Sequence, residues 1–238
     1  MKTILITGAG GGISRAIIPL LYKRGYRLLL TTKSSINSLT SFLSEESIDA
    51  EVFAADLCDQ KQVDVLFDWV NDLGGADVLI NNAGVAHAAP AWKLTVEQMH
   101  DLFETNFYTA VRCTQKVLTH MREQNFGRII CVSSVVAHKP SFGTSGYAAS
   151  KSALEGYVRG VAIDTASKGV TANTIAYGYM KAGMLNDVPQ PMLDEILTTI
   201  PSGQFGAAAQ IASYVELLIN SPYTTGQTLH VNGGQWMP

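Results

Sequence analysis

Charge is scarce in this chain. Asp, Glu, Lys and Arg make up 16% of it, against 47% apolar residues. There is no basic block and the formal net charge is −3, which argues against nucleic acid or an anionic membrane as a partner. Cysteine is scarce as well. Cys58, Cys113 and Cys131 are odd in number, form no CxxC and share no zinc spacing with the five histidines. This argues against a disulfide framework or a metal site and leaves buried thiols in a reducing cytosol. Long apolar runs are missing too. The run that opens at Met1 stops at Thr7-Gly8, short of a signal peptide's apolar region, and nothing approaches a membrane span. A cytoplasmic location is expected. No internal repeat, low-complexity stretch or linker divides the 238 residues, so one α/β domain over 1–238 is expected, with room for a large core.

Short apolar runs closed by glycines or polar residues alternate with helical patterns. Strands are expected at Thr3–Thr7, Arg27–Thr32, Glu51–Ala55, Val78–Asn81, Arg128–Ser133, Val170–Ala176 and Thr228–Val231. Helices are expected at Ile13–Arg24, Ser35–Glu46, Lys61–Leu73, Val96–Gln124, Gly146–Ser167 and Ala207–Ile219. Apolar strands alternating with helices imply a doubly wound parallel sheet of about seven strands, with helices on both faces. Gly178–Gln204, rich in Pro, Gly and Met, is too long for a plain connection and reads as a substrate lid or binding loop. Pro19 falls inside the first helix, where it should bend the helix or cost up to about 3 kcal/mol.

Thr7-Gly8-Ala9-Gly10-Gly11-Gly12-Ile13-Ser14 lies between the first strand and the first helix. Glycines there let backbone N–H groups approach a pyrophosphate, and the helix N-terminus favours its charge. A flexible turn is the plainer reading. The second strand ends Thr31-Thr32-Lys33-Ser34-Ser35. An NAD site usually has Asp or Glu there for the ribose 2′-hydroxyl. Here no carboxylate repels a 2′-phosphate, and Thr32, Lys33 and the serines are placed to hold one, which favours NADP(H) over NAD(H). Tyr147 and Lys151 stand four apart in a helical stretch and so share a face. An ammonium nearby pulls a phenol below its usual pKa of about 10, making the pair a candidate proton donor.

With these elements in order, the chain resembles the short-chain dehydrogenase/reductase family over essentially its whole length. Thr7-Gly8-xxx-Gly12-Ile13-Ser14 is similar to TGxxxGxG, with Ser14 at the last glycine. Asp56-Leu57 matches the acidic step that meets the adenine. Asn81-Asn82-Ala83-Gly84 matches NNAG beside the adenine-side ribose. Asn106 matches the asparagine of the fourth helix, Ser134 stands thirteen residues before Tyr147 as the catalytic serine does, and Tyr147-xxx-Lys151 matches YxxxK. The resemblance implies a Rossmann-type fold and hydride transfer from a nicotinamide cofactor to a carbonyl. It makes Tyr147 the acid and Ser134 a donor to the same oxygen. Lys151 would lower the Tyr147 pKa and bind the nicotinamide ribose, and Asn106 would hold a water that reprotonates Lys151. The only sign separating Ser134 from Ser133 is its spacing to Tyr147.

Ile200-Pro201-Ser202-Gly203-Gln204-Phe205-Gly206 and Thr225 to Gly234 resemble the bacterial 3-oxoacyl-ACP reductase branch of the family. Where the family has Pro-Gly and a following Thr, this chain has Tyr177-Gly178 and Ala182. Gly178 and the Met180 backbone remain as contacts for the cofactor's carboxamide. Tyr177 and Tyr179 add aromatic surface beside the substrate or fill the core. Ser14 is small enough to be tolerated and offers an added phosphate contact. Val135, His138, Phe142, His87, Tyr179 and Met184 are the expected wall of an apolar substrate pocket, the two histidines as loop or core residues rather than catalysts. An acyl-carrier protein is a possible partner, docking on Arg122, Arg128, Arg159 and Lys168. The resemblance also implies a homotetramer, and Phe103, Phe107, Val111 and Val117 are candidate interface residues, some of which face the sheet.

The leading reading is NADPH-dependent reduction of a 3-oxoacyl thioester in fatty-acid or polyketide-like synthesis. The alternative is a ketone reductase or alcohol dehydrogenase acting on a free small molecule. A non-catalytic NADP(H)-binding scaffold is the remote third reading, against which the full set Asn106, Ser134, Tyr147 and Lys151 argues.

Overall fold

Seven parallel strands form one sheet in the order β3-β2-β1-β4-β5-β6-β7. The computed structural model describes residues 1–183, 185 and 188–238, with Ala208 by its backbone alone. The strands are β1 Thr3–Thr7, β2 Arg27–Thr32, β3 Glu51–Ala54, β4 Val78–Asn81, β5 Gly127–Ser134, β6 Val170–Tyr177 and β7 Thr228–Val231. The helices are α1 Gly12–Lys23, α2 Ile36–Glu45, α3 Gln60–Asp72, α4 Val96–Phe103, α5 Thr109–Glu123, α6 Ser145–Thr165, α7 Gln190–Thr198 and α8 Ala208–Asn220.

Successive residues of a strand point to opposite faces, and here both faces are apolar. Ile4, Ile6, Leu28, Leu30, Ile130 and Ile175 pack under α1, α2 and α8. Leu5, Leu29, Leu79, Ile129, Cys131 and Ala172 pack under α3, α5 and α6. The expected doubly wound sheet is thus present. No described helix is long and apolar enough to cross a membrane.

Three expectations need correction. The single helix expected at Val96–Gln124 contains a π-helical turn, Glu104–Tyr108. Such a turn holds one extra residue and re-aims its side chains, and buried Asn106 lies at its middle. Gly178–Gln204 is not wholly irregular, since α7 forms within it. Pro189 caps α7 and Pro191 sits in its first turn, where a missing N–H costs nothing. Two of the three thiols, Cys113 and Cys131, are buried, while Cys58 is half-buried against Thr105. Pro19 does not end α1, which runs through it.

Strand order reverses between β1 and β4, whose neighbours lead to opposite edges of the sheet. In an open α/β sheet the crevice beyond such a switch point, at the carboxyl ends of the strands, is where ligands bind. Thr7, Thr32, Asn81, Ser134 and Tyr177 all end strands at that edge.

Candidate active site

Two adjoining hollows occupy the carboxyl edge. One, of about 380 Å³, is lined by Gly8, Gly10, Gly11, Thr31 to Ser35, Ala55 to Cys58, Asn82 to Val85, Thr105 and Thr109. The other, of about 280 Å³, includes Ile13, Ser134, Tyr147, Lys151, Gly178 and Met180 in its lining. Asn82 and Gly84 belong to both, so the two form one groove. Of the residues expected from the sequence, Gly12 and Asn106 are not among those lining it.

The first hollow is shaped by backbone. Gly8 has φ +63°, and a Cβ there would stand 2.8 Å from the Ala83 Cα. At Gly10 a Cβ would meet Ser35 at 2.6 Å. The Gly12 Cα packs against the Gly183 backbone, so even a methyl group would displace the segment after β6. Thr7 closes the turn: its hydroxyl accepts hydrogen bonds from Asn82 N and Ala83 N. Among the described residues no side chain caps α1, and its first turn holds no acidic residue, so its N–H groups keep their partial positive charge for an anion. The buried Thr31 hydroxyl has no partner among the described residues. An uncapped helix start, a bare glycine turn and an orphaned hydroxyl fit a dinucleotide's phosphate and ribose groups.

Ser14 does not serve as the expected phosphate contact. It is fully buried, and its Oγ accepts a 2.8 Å hydrogen bond from Asn82 Nδ2, which also donates to the Thr7 and Gly8 carbonyls. Its hydroxyl ties β4 to the glycine turn from inside. Thr32 lines the hollow. Lys33 is exposed and pairs with Asp56 at 2.7 Å. That hydrogen bond raises the Lys33 pKa and lowers the Asp56 pKa. The other Asp56 oxygen accepts from Cys58 N, and Leu57 is buried in the core beneath.

The second hollow brings side chains together. Ser134 ends β5, and Tyr147 and Lys151 lie one turn apart on α6. Burial pushes the Tyr147 phenol above its usual pKa, and hydrogen bonding with Ser134 pulls the other way. The Lys151 ammonium lies 5.8 Å from the Tyr147 ring centre and donates to the Val132 carbonyl at 2.9 Å. Burial lowers its pKa to about 8. The phenol is therefore raised here, not lowered as the sequence suggested, because burial outweighs the hydrogen bond. Asn106 accepts from Val85 N at 2.8 Å and donates to the Val85 carbonyl at 2.9 Å and to Ser150 Oγ at 3.0 Å. Its amide binds the irregular segment after β4 to α6. A Cβ on Gly84 would stand 3.1 Å from Asn106 Oδ1 and 3.4 Å from Lys151 Nζ, so a side chain there would crowd the Asn106 amide.

The expected wall is largely replaced. Tyr179 lines the hollow, but Val135 is buried under α6, Phe142 stands 79% exposed against Trp92, and His87 is exposed. His138 stacks on Trp236, and Met184 lies outside the described residues. The 3-10 turn Val135–Ala137 turns the chain just after Ser134, which puts Val136 on the wall in place of Val135. Leu185 and Val188 complete an apolar side that no sequence motif announced. Tyr177 is 4% exposed in the core, its phenol pKa raised by burial, and it also reaches the cavity. It fills the core and lines the cavity as well. Arg128 is withdrawn as a docking residue: it is 4% exposed and donates to the Gly127, Gly169 and Ile219 carbonyls.

A buried Tyr–Lys pair at a strand-end serine, beside a glycine-lined groove at the switch point, is the arrangement expected of hydride-transfer enzymes. The family model for short chain dehydrogenases matches residues 2–192. The chain belongs to that family. Similar relatives include the 3-oxoacyl-[acyl-carrier-protein] reductases FabG of Vibrio cholerae, 33% identical, and Vibrio harveyi, 34% identical, each with 99% of this chain and 98% of the relative covered. The enzyme of that name from Staphylococcus aureus is 31% identical over the same shares. As a short chain dehydrogenase the chain is an oxidoreductase of the nicotinamide-dependent kind.

Proposed function

We propose that this protein reduces the 3-oxo group of a carrier-bound acyl thioester to the 3-hydroxy form, using NADPH in preference to NADH. The observation that carries the reading is the convergence of Ser134, Tyr147 and Lys151 on a hollow with an apolar wall. Full-length similarity to reductases named for 3-oxoacyl carrier-protein substrates supports it.

Reduction of a carbonyl adds a hydride to carbon and a proton to oxygen. The bound nicotinamide supplies the hydride when present. Gly8, Gly10, Gly11, Gly12 and Ile13 would hold its pyrophosphate, and Asn82, Ala83 and Gly84 its ribose side. Asp56 and Leu57 would flank the adenine, with Gly178 and the Met180 backbone toward the carboxamide. Tyr147 holds the proton that the new hydroxyl takes. Ser134 donates a hydrogen bond to the same oxygen, a group most stabilised when charge gathers on it. Lys151, buried and cationic near neutral pH, stabilises the phenolate left behind and binds ribose hydroxyls. Both Nδ2 protons of Asn106 are already engaged, so Asn106 acts first by fixing Val85 and Gly84 over Lys151. Only Oδ1 keeps acceptor capacity for a water.

Preference for NADPH rests on Lys33 and on the lack of a carboxylate at the end of β2, with Asp56 holding the ammonium in place. A carrier protein would meet Arg122 and Lys168, which share one shallow cleft, or the exposed Arg159. That cleft lies at the start of β6, about 23 Å from its Tyr177 end at about 3.3 Å per residue. Tyr108 and Ile163 are left exposed on the outer helices, which suits the homotetramer. Val117 faces the core and is removed from that surface.

Among the described residues the apolar wall carries no charged anchor, so a free ketone remains the competing substrate. NADPH oxidation on acetoacetyl thioesters of increasing chain length, set beside simple ketones, tests the reading. Higher kcat/KM on the thioesters is expected, and equal or better rates on the ketones would transfer the assignment to a small-molecule reductase.

A further inference from the structure

One buried carboxylate grips the chain on both sides of Ser134. Glu155, on α6, is 3% exposed. It accepts a short hydrogen bond from Ser133 Oγ, and the His138 Nε2 lies 2.9 Å from its Oε2. Ser133 precedes Ser134 and His138 follows it by four residues. On α6, Glu155 lies one turn beyond Lys151 and two beyond Tyr147, so the three share a face. Neighbouring strand residues point to opposite faces, which sends the Ser133 hydroxyl toward α6. This also separates Ser133 from Ser134 by role, a distinction that spacing alone carried before.

Stability is a poor reason for such a group. A desolvated carboxylate and its partners are no better than apolar residues of similar volume, and often worse. The surroundings are closely packed: His138 stacks on Trp236 at 4.3 Å, His230 meets both rings, and Lys139 donates to the Gln235 carbonyl. The titratable groups facing the carboxylate are His138 and, behind it, His230.

We propose that Glu155 is a positioning residue. By holding Ser133 and His138 it sets the place of Ser134 relative to Tyr147 and Lys151. The proposal rests on the reading of Ser134 and Tyr147 given above.

The test uses Ser133→Ala, which removes one hydroxyl, and Glu155→Leu, which keeps an apolar fill, with Glu155→Gln as the conservative variant, all in the full chain. A loosened catalytic group costs up to about 100-fold in rate. Expected for Ser133→Ala and Glu155→Leu is a kcat loss of about tenfold or more, with NADPH Kd and KM within about twofold, and partial recovery in Glu155→Gln. The Tyr147 phenol, followed by NMR of ring-labelled tyrosine and assigned with Tyr147→Phe, should titrate at higher pH in both variants, because the Ser134 hydrogen bond that lowers it is weakened. Unchanged kcat and unchanged titration overturn the proposal. So does a lower Tm with both readouts unmoved, which would leave Glu155 a packing role only. A wild-type chain inactive on every thioester would sink the proposed function, while the phenol titration would still decide for or against Glu155.

Discussion

The two halves of the groove are built by different means. Over β1, β2 and β4 the surface is backbone: glycines whose Cβ positions are blocked, an uncapped helix start and carbonyls gathered by Asn82. Over β5 and β6 it is side chains: a serine, a phenol, an ammonium and apolar residues from four separate segments. Backbone recognises what every dinucleotide has in common, its phosphates and sugars. Side chains select and protonate one substrate. The first half therefore tolerates almost no substitution at its glycines, and the second tolerates many changes at its wall but none at its acid.

Tyr147→Phe should sharpen this contrast most. It is expected to lower kcat at least about 100-fold, the scale of a lost general acid, with NADPH Kd changed less than about threefold by fluorescence titration. A large loss of cofactor binding would break the comparison. Gly8→Val strikes the other half. A β-branched residue at φ +63° is strained, and its Cβ would press on Ala83. NADPH Kd should rise at least about tenfold, a change of about 1.4 kcal/mol, with residual kcat at saturation retained. Lys33→Ala removes the charge-assisted contact proposed for the 2′-phosphate. The ratio of kcat/KM for NADPH over NADH should fall about tenfold or more, and an unchanged ratio would remove Lys33 from cofactor choice.

The smallest effect is read in stability. Burial holds the Lys151 pKa near 8, below its ordinary 10.5. Between those values the unfolded chain binds more protons, so the contribution of this group to stability improves as pH rises. Lys151→Met removes its cost. The variant's Tm advantage over wild type should be largest at or below about pH 8 and shrink toward pH 10.5. A constant difference would mean that Lys151 is less desolvated than its surroundings imply.

Much of the fold was legible because the signals were local. The bounds of β1, β2, β4 and β7 follow from apolar runs closed by polar or glycine residues, and the sheet class from their alternation with helices. The candidate residues Ser134, Tyr147 and Lys151 were legible by spacing, and they do meet in one hollow. The π turn at Asn106 was not legible, because an extra residue in a helix leaves the apolar period nearly intact. Nor was the substrate wall, where Val136, Leu185 and Val188 replace Val135, His138 and Phe142.

From its sequence alone this chain determined a parallel sheet, a glycine turn ahead of its first helix, and a Tyr–Lys pair on one helical face. Those depend on period, propensity and spacing, which are properties of neighbours along the chain. Tertiary structure decided that Ser14 faces Asn82, that Arg128 is spent inside the fold, that Lys151 is stripped of water, and that Glu155 holds both sides of Ser134. Each of these turns on which distant segment excludes water from a polar group, and no local pattern records that.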